Sequence, residues 1–424
     1  MDGKQGGEDS TAKASILAVN QLTYSLAPDL SVAVSRCMTK QYPMGSQKVT
    51  SRDTLVFVLN SGSAYVDFKD SYLSFDVKNA STGTGTAFFG TSGGSACNFF
   101  NRLTISSRSG QIIERIDRVN QLSAIRHNFE RSEVWKQTTG SLMGLSVNAT
   151  NLDWNKDDTV RFVIPLGSLS VFFNTCDQLV PAQLASGMRI ELLLEDGKQA
   201  MVQSAATATA SAFEISNATL NLQSYLLSDV VLRTLNEMSA SSGLELVHQT
   251  TYSAVGQRSS SLLTSELGKS ASRCLKAVYH ERAVTSAALT ADPFAAPTWT
   301  ASYYVQELQW RLGSLFFPNT SVRGDGPRQS APELYAMALQ AFGQLTGSAP
   351  TVSTTEQEYR QGKAVYAQSF ERSSVLDLAG QPSSNSRIIS LVSRFSDTAV
   401  HDSSFYLFFA QLIRVFSSNA VVEQ

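Results

Sequence analysis

The sequence has few cysteines, few histidines and few charged residues for a chain of 424 residues. Zinc sites and redox motifs usually place two cysteine ligands within a few positions of each other. Here the four cysteines are at least 60 residues apart: Cys37, Cys97, Cys176 and Cys274. The spacing therefore excludes the common cysteine motifs, and we expect buried free thiols.

The four histidines also lack the spacing of metal ligands. They form no HxH, HExxH or HxxxH motif, and the closest two are 32 residues apart: His127, His248, His280 and His401. We expect each at a surface or helix-cap position rather than at a metal. The GxSxG, GxxxxGK[ST] and GxGxxG motifs are absent as well, which removes the usual sequence signs of a hydrolase, a P-loop and a dinucleotide site.

Two pairs of adjacent carboxylates are the remaining candidates for acid/base chemistry or for calcium binding. Asp157-Asp158 and Glu195-Asp196 both lack the alternating acidic pattern of a calcium loop. Glu195-Asp196-Gly197 is typical of a turn that ends a strand. The sequence therefore predicts no catalytic, cofactor-binding or metal-binding residue, and a protein that is not an enzyme.

Charge is low and balanced. Lysine and arginine total 34 and aspartate and glutamate 36, so the formal net charge is −2, and only 17% of residues are charged. This balance excludes a strongly basic protein that wraps nucleic acid and a highly charged disordered chain. The nearest approach to a basic cluster is interrupted by acidic residues: Arg102, Arg108, Glu114, Arg115, Asp117 and Arg118. We expect ion pairs at a sheet end there, and no sequence-specific binding of nucleic acid.

Long apolar runs are missing too. Residues 1–10 are polar, and no apolar segment with a cleavage site follows them. The longest apolar run, Phe405–Phe416, is interrupted by Gln411 and Arg414 and falls short of the about 20 residues that span a bilayer. The sequence therefore predicts neither a secretion signal nor a membrane-spanning helix.

Aromatic and hydroxyl residues, in contrast, are abundant. The chain has 42% hydrophobic residues, including 22 Phe and 13 Tyr. Short aromatic and β-branched runs between turns indicate strands throughout the chain from residue 54. They include Thr54–Leu59, Tyr65–Val77, Phe99–Ser106, Ile112–Ile116, Val160–Pro165, Met188–Leu194, Phe213–Leu222, Leu244–Val255, Arg273–Val284, Trp299–Leu312, Ala364–Phe370, Arg387–Phe395 and Phe405–Phe416.

Three segments have helical periodicity instead. Arg118–Glu130 carries an apolar stripe, Ser228–Met238 begins with a candidate N-cap serine, and Pro332–Phe342 begins with proline and stops at Gly343. The pattern predicts an all-β protein with four parts: an N-terminal arm at 1–50, a first β-sandwich at 51–227, a linker helix at 228–243 and a second β-sandwich at 244–424.

The order of these elements resembles the double jelly-roll major capsid proteins of icosahedral, tailless DNA viruses. The matching segments cover most of residues 54–424. They are SAYVDFKDSYLSFDVKN (63–79), ACNFFNRLTISSRSGQIIERID (96–117), VRFVIPLGSLSVFF (160–173), MRIELLLED (188–196), FEISNATLNLQSYLLSD (213–229), YYVQELQWRLGSLFFPN (303–319) and PELYAMALQAFG (332–343). The sixth of these is similar to the family's strand followed by a proline-containing turn, and the seventh to its helix.

The resemblance implies two tandem eight-stranded jelly-roll sandwiches with short inserted helices. It also implies homotrimers of pseudo-hexagonal outline that tile an icosahedral shell, with neighbouring capsomers and minor capsid proteins as partners and the virion as location. In such relatives the N-terminal segment commonly lies on the inner side of the shell. Residues 1–50 are therefore candidates for contacts with neighbours or with an internal membrane, and no cofactor is implied.

Three alternatives remain open from the sequence. A carbohydrate-binding double sandwich would stack sugars on exposed rings of Trp135, Trp154, Trp299 or Trp310, although Trp299 and Trp310 lie in predicted strands. An amidase-type double sandwich would need an acid/base pair that the sequence does not display. A minor or vertex capsid protein of the same lineage would share the fold of the main shell protein.

Overall fold

The structure is a computed structural model that describes residues 33–82, 87–88, 94–145, 154–203, 212–283, 296–345, 352–372, 380–384, 386–416 and 420–423. Strands dominate these residues. In chain order they are β1 (Ala33–Gln41), β2 (Lys48–Thr50), β3 (Thr54–Val58), β4 (Tyr65–Asn79), β5 (Ala87–Phe88), β6 (Phe100–Ser106), β7 (Ile112–Asp117), β8 (Thr159–Pro165), β9 (Arg189–Leu194), β10 (Val202–Gln203), β11 (Phe213–Leu227), β12 (Leu244–Arg258), β13 (Leu262–Leu267), β14 (Ala271–Ala283), β15 (Val305–Leu312), β16 (Leu315–Arg323), β17 (Tyr366–Ser369), β18 (Gln381–Ser383), β19 (Ile389–Phe395), β20 (His401–Val415) and β21 (Ala420–Glu423).

Three helices of the described residues are longer than two turns, and we name them the junction helix (Val119–Phe129), the connecting helix (Asp229–Ser241) and the second-domain helix (Ala331–Ala341). The other helical segments are short: Ala96–Phe99, Glu133–Gln137, Thr139–Met143, Leu166–Leu169, Val171–Thr175, Ala182–Ala185, Gly197–Ala200, Glu356–Glu358 and Tyr359–Lys363. In the described part of the chain, no helix has the length and apolar character needed to cross a bilayer.

The first jelly roll packs a five-stranded layer, in which β2 also pairs with β11, against a layer of four strands. One layer has the order β1-β11-β4-β8, and the other has the order β7-β6-β9-β3. Aromatic side chains fill the space between them, because alternate residues of each strand point inward. Phe75 on β4 lies 5.5 Å from the ring of Phe100 on β6, measured between ring centroids. The core is thus built from the Phe-rich runs that the sequence analysis assigned to strands.

The second jelly roll repeats this plan. Its layers have the orders β17-β14-β20-β12 and β13-β19-β15-β16. Tyr366 on β17 and Phe395 on β19 meet edge to face across the layers, with ring centroids 6.0 Å apart. The predicted fold class, an all-β pair of tandem jelly rolls with short inserted helices, is confirmed.

The two jelly rolls share one continuous sheet. Strand β7 of the first lies beside β12 of the second, and the two strands pair in parallel at Arg115 and Tyr252. The pairing joins one layer from each domain into a ten-stranded sheet that includes β18 and β21. Because both domains contribute to this sheet, their relative orientation is fixed by backbone pairing as well as by side-chain packing.

The junction helix lies beside this shared sheet and is covered on all sides. The sequence predicts a single apolar stripe along it, yet every residue from Val119 to Phe129 is buried. Its polar residues bond to both domains: Gln121 Oε1 accepts from Ser404 Oγ at 2.6 Å, and Ser123 Oγ donates to the Ser168 carbonyl oxygen at 2.8 Å. An amphipathic pattern therefore marks a fully enclosed helix here, because its polar side faces polar partners rather than water.

The predicted N-terminal arm is too long. Residues 33–50 form β1 and β2, and both strands pair with β11 in the first jelly roll. Most of β1 is exposed, so it lacks the alternation of buried and exposed residues by which a strand is identified from sequence. Residues 1–32 of the predicted arm lie outside the described residues.

A second difference concerns the predicted proline-containing turn after Leu312. Leu315–Arg323, which includes Pro318, continues as β16 and pairs with β15. The chain turns instead at Gly313, which has a φ of 60°. Proline is tolerated in β16 because this strand lies at the edge of its sheet, where one side of the backbone needs no ladder partner.

Candidate assembly surfaces

All four histidines are buried, which corrects the prediction of surface or cap positions. His127, His248, His280 and His401 are between 0% and 3% exposed. Burial lowers the pKa of His127 to about 3 and that of His248 to about 4, so both imidazoles are neutral at physiological pH. Among the described residues, no three His, Cys, Asp or Glu side chains are grouped as a metal site. Neutral histidines can thus occupy a core without any catalytic role.

Ionisable side chains do converge inside the second jelly roll. Arg258 donates to both carboxylate oxygens of Glu281, at 2.7 and 3.2 Å, and to Asp397 at 2.8 Å. Hydroxyl groups of Tyr279 and Tyr303 donate to the same glutamate. Arg258 and Glu281 are each 1% exposed, so no substrate reaches them. The cluster resembles an active site in composition, but its groups satisfy one another inside the core.

The tryptophans offer little surface for stacking a sugar. Trp154, Trp299 and Trp310 are at most 6% exposed. Trp310 lies on β15, as predicted, whereas Trp299 precedes that strand. Trp135 is partly buried and borders a groove of about 610 Å³. Its ring is contacted by the guanidinium of Arg131 at 5.0 Å and by the ring of His127 at 5.5 Å, measured to the ring centroid. These contacts use ring surface that a sugar would need.

The cysteines divide into two groups. All four are free thiols, as the spacing predicts. Cys97, Cys176 and Cys274 are buried, and burial raises the pKa of the first two to about 11. Cys37 is exposed, contrary to the prediction, because it lies on β1 at the edge of the first jelly roll.

Three of the four arginines near the sheet end form ion pairs, as expected. Arg102 and Arg115 both pair with Asp117, the latter at 3.7 Å, and Arg118 pairs with Asp402 of the second jelly roll at 3.7 Å. These contacts compensate the positive charge and leave little of it for phosphate groups. The last pair also links the two domains.

Both carboxylate pairs have structural roles. Asp157 pairs with Lys78 at 2.8 Å. Glu195 is buried and accepts from Asn101 and Asn120 at 2.7 and 2.9 Å. Asp196 caps the short helix that begins at Gly197 by accepting from the backbone N–H of Lys198. The predicted turn at the end of β9 is therefore the better account of the second pair.

Glu114, for which the sequence predicts an ion pair at a sheet end, is instead buried at the domain junction. Glu114 on β7 is 1% exposed and accepts from the backbone N–H of Thr251 in the second jelly roll at 3.0 Å. It also accepts from the hydroxyl of Ser170 and the backbone N–H of Phe172. Burial raises its pKa to about 7, although these hydrogen bonds oppose the rise. Glu114 ties the two domains together through one side chain.

Exposed apolar side chains collect on the outer strand of the first jelly roll. On β1 and in the three residues after it, the side chains at even-numbered positions from 34 to 44 are exposed. Four of these side chains are large and apolar. We name these residues the β1 face: Val34, Met38, Tyr42 and Met44, which are 70%, 48%, 64% and 62% exposed. A sheet edge with exposed apolar side chains favours association with another protein surface.

A smaller apolar surface lies on the second jelly roll. Leu315 and Phe316 follow the tight turn of the β15–β16 hairpin and are 45% and 40% exposed. We name these two residues the hairpin tip. The guanidinium of Arg311 lies 5.0 Å from the Phe316 ring centroid. Each domain thus presents its own candidate contact surface.

The comparisons with known proteins agree with this architecture. A chain of the PBCV-1 virus capsid is 12% identical, with a TM-score of 0.64 over 95% of this chain and 99% of that one. The Faustovirus major capsid protein is 9% identical, with a TM-score of 0.64 over 94% of each chain. A chain of the Sputnik virophage is 10% identical, with a TM-score of 0.59 over 100% of this chain and 93% of that one.

In sequence, no protein-family model matches the chain. No curated protein matches it either. The likeness is therefore one of three-dimensional structure, and it extends over both jelly rolls rather than over one of them. This chain has the double jelly-roll fold of the capsid chains to which it is similar.

Proposed function

We propose that the chain is a major capsid protein, without catalytic activity, whose homotrimers tile the icosahedral shell of a virion. The observation that carries the proposal is the pair of jelly rolls held side by side by one shared sheet. It is supported by structural likeness over at least 94% of this chain to the Faustovirus major capsid protein and to a PBCV-1 capsid chain.

The geometry suits a tile. Three copies of a two-domain chain place six similar domains around one axis, which gives a pseudo-hexagonal outline. The angle between the two domains in each copy must then be constant. The parallel pairing of β7 with β12 and the hydrogen bond from Thr251 to Glu114 hold that angle. Low net charge permits close contact between identical surfaces.

Neighbouring capsomers and minor capsid proteins are the partners that we propose for the trimer. The β1 face and the hairpin tip are the candidate contact surfaces, since both expose large apolar side chains. Contact of the N-terminal residues with an internal membrane stays a prediction. A minor or vertex role in the same shell is the alternative, and the number of copies in a purified particle distinguishes it.

The first test is the solution mass of the purified chain, followed by negative-stain images of the same fraction. We expect a species of three times 45.9 kDa with a hexagonal outline. A monomer at every concentration, with no assembly when other virion proteins are added, would contradict the proposal.

Surface variants make this test sharper. Tyr42→Asp with Met44→Asp disrupts the β1 face, and Leu315→Asp with Phe316→Asp disrupts the hairpin tip. We expect at least one double variant to abolish the trimer or its assembly into larger shells. Val134→Asp is the matched control, because Val134 is 68% exposed and lies outside both surfaces. Equal assembly of all three variants would exclude both surfaces.

A further inference from the structure

The connecting helix is only loosely packed against the rest of the molecule. Of its 13 residues only Ser239 is buried, and its hydroxyl donates to the Val415 carbonyl oxygen at 3.3 Å. The helix is nevertheless amphipathic, with Val231, Leu235 and Met238 along one side. An amphipathic helix gains most of its stability by covering its apolar side, and here that side is only partly covered.

The apolar side of the connecting helix forms one wall of a groove of about 650 Å³. The opposite wall includes Leu179, Pro181 and Leu246, and Leu227 lies at the end where β11 leads into the helix. Met238 remains 46% exposed. An apolar groove of this volume has room for several side chains of a peptide.

The described chain begins beside this groove. Ala33, the first residue of β1, pairs with Leu227, which lines the groove. Because β1 and β11 are antiparallel, Ala33 lies at the end of β11 from which the chain leads into the connecting helix at Asp229. The helix is about 20 Å long at 1.5 Å per residue, so roughly six extended residues cover its length.

The sequence before Ala33 has the right chemistry for this groove. Residues 14–32 (ASILAVNQLTYSLAPDLSV) carry one charged side chain, Asp29, and are rich in leucine, isoleucine and valine. Residues 1–13 (MDGKQGGEDSTAK), in contrast, carry five charged side chains and no large aliphatic residue except Met1. Of these two segments, only residues 14–32 are therefore apolar enough to fill the groove.

We propose that residues 14–32 dock in the groove of their own chain and cover the apolar side of the connecting helix. The inference goes beyond the proposed function, because it concerns one subunit and holds whether or not the chain builds a shell.

Hydrogen–deuterium exchange of the purified protein tests the proposal. Deleting residues 1–32 should speed amide exchange in residues 231–241 by about tenfold, because the helix loses its cover. Deleting only residues 1–13 should leave that exchange unchanged. Strand β20 provides the internal reference, since its exchange stays slow as long as the fold is intact. Addition of a synthetic peptide of residues 14–32 to the 1–32 deletion should restore slow exchange.

A substitution in the groove wall provides an independent test. Leu235→Asp should accelerate exchange in the full-length chain as the deletion does, whereas Thr234→Asp, on the exposed side, should not. Equal exchange in the full chain and the 1–32 deletion would overturn the proposal. Slow exchange that is lost on dilution to monomer would assign the occupant to a neighbouring copy, and would overturn docking within one chain.

Discussion

The two jelly rolls share a plan but are stabilised by different kinds of core. In the first, Phe99 is 0% exposed and its ring lies within 6.4 Å of four other rings, those of Phe75, Trp154, Phe162 and Phe213. In the second, Arg258 and Glu281 form the one ion pair, among the described residues, in which both side chains are only 1% exposed. One core is aromatic, and the other contains a charged centre.

The difference between the two cores indicates how each domain favours one arrangement of its strands. Aromatic packing tolerates small shifts, because a displaced ring still contacts other rings. A buried ion pair tolerates few such shifts, because a buried charge that loses its partner lowers the free energy of unfolding. Glu281 on β14, Arg258 on β12 and Asp397 after β19 come from three parts of the second jelly roll. Their pairing therefore favours one register among strands that could otherwise slip.

The largest effect is expected from removing the acidic partner of this centre. Glu281→Leu leaves Asp397 as the one carboxylate bonded to Arg258 and removes the acceptor of two tyrosine hydroxyls, those of Tyr279 and Tyr303. We expect the free energy of unfolding to fall by about 3–5 kcal/mol. Urea denaturation of the variant and the wild type measures this loss.

Two controls distinguish a charged centre from a simple loss of packing. Glu307→Leu breaks an exposed ion pair with Arg323, in which the side chains are 39% and 72% exposed, and should cost less than about 1 kcal/mol. The double variant Arg258→Met with Glu281→Leu removes both charges and should recover most of the stability. If Glu281→Leu cost no more than Glu307→Leu, the contrast between the two cores would fail.

Acid should weaken the domain junction before it weakens the charged centre. His127 on the junction helix and His248 on β12 have pKa values lowered to about 3 and about 4 by burial. The unfolded chain therefore binds protons first, below its histidine pKa of about 6.5, and stability falls as the pH falls from there. At pH 5 the loss is about 2 kcal/mol for each histidine.

The carboxylates of the charged centre and of the domain junction respond differently to a fall in pH. Burial alone would raise the pKa of Asp397, but hydrogen bonds from His401 and Arg258 lower it overall, so its contribution is lost only in stronger acid. Glu114 has a pKa raised to about 7, and the stability linked to it is lost as the pH rises from about 4.5 to 7. It therefore partly offsets the histidines between pH 5 and 7.

Urea midpoints at pH 7 and pH 5 check this order. The double variant His127→Phe with His248→Phe keeps an aromatic ring at each position. Its urea midpoint should fall much less between pH 7 and pH 5 than that of the wild type. Glu114→Gln should steepen the decline, because it removes the opposing contribution. An unchanged decline in the histidine variant would show that other groups bind the protons.

The sequence predicted the strands with alternating buried residues, such as β9, and the helices with apolar stripes. It missed β1, because an edge strand with exposed side chains has no alternation. It also placed the histidines at the surface, since polar residues are usually exposed. Glu281 was missed for the same reason, because the structure buries every residue of β14 from Val278 to Arg282 although the last three of these five side chains are polar.

The domain junction could not be predicted in this way. Glu114 and Thr251 are 137 residues apart, and neither carries a motif. Their contact depends on the parallel pairing of β7 with β12, which is a property of how two finished sandwiches meet. Local patterns specify elements, whereas this contact requires the positions of both domains.

Among the substitutions of buried side chains, a milder one in the aromatic core should have the smallest effect on stability. Phe99→Leu removes part of a buried ring but keeps an apolar side chain among Phe75, Phe162 and Phe213. We expect a loss of about 1–2 kcal/mol in the free energy of unfolding, because neighbouring rings can move into the space. The same experiment on Tyr279→Phe, which removes one hydroxyl from Glu281, gives the matched change in the second core. If Phe99→Leu proved as costly as Glu281→Leu, the first core would be as intolerant as the second, and register in both domains would depend on shape rather than on charge.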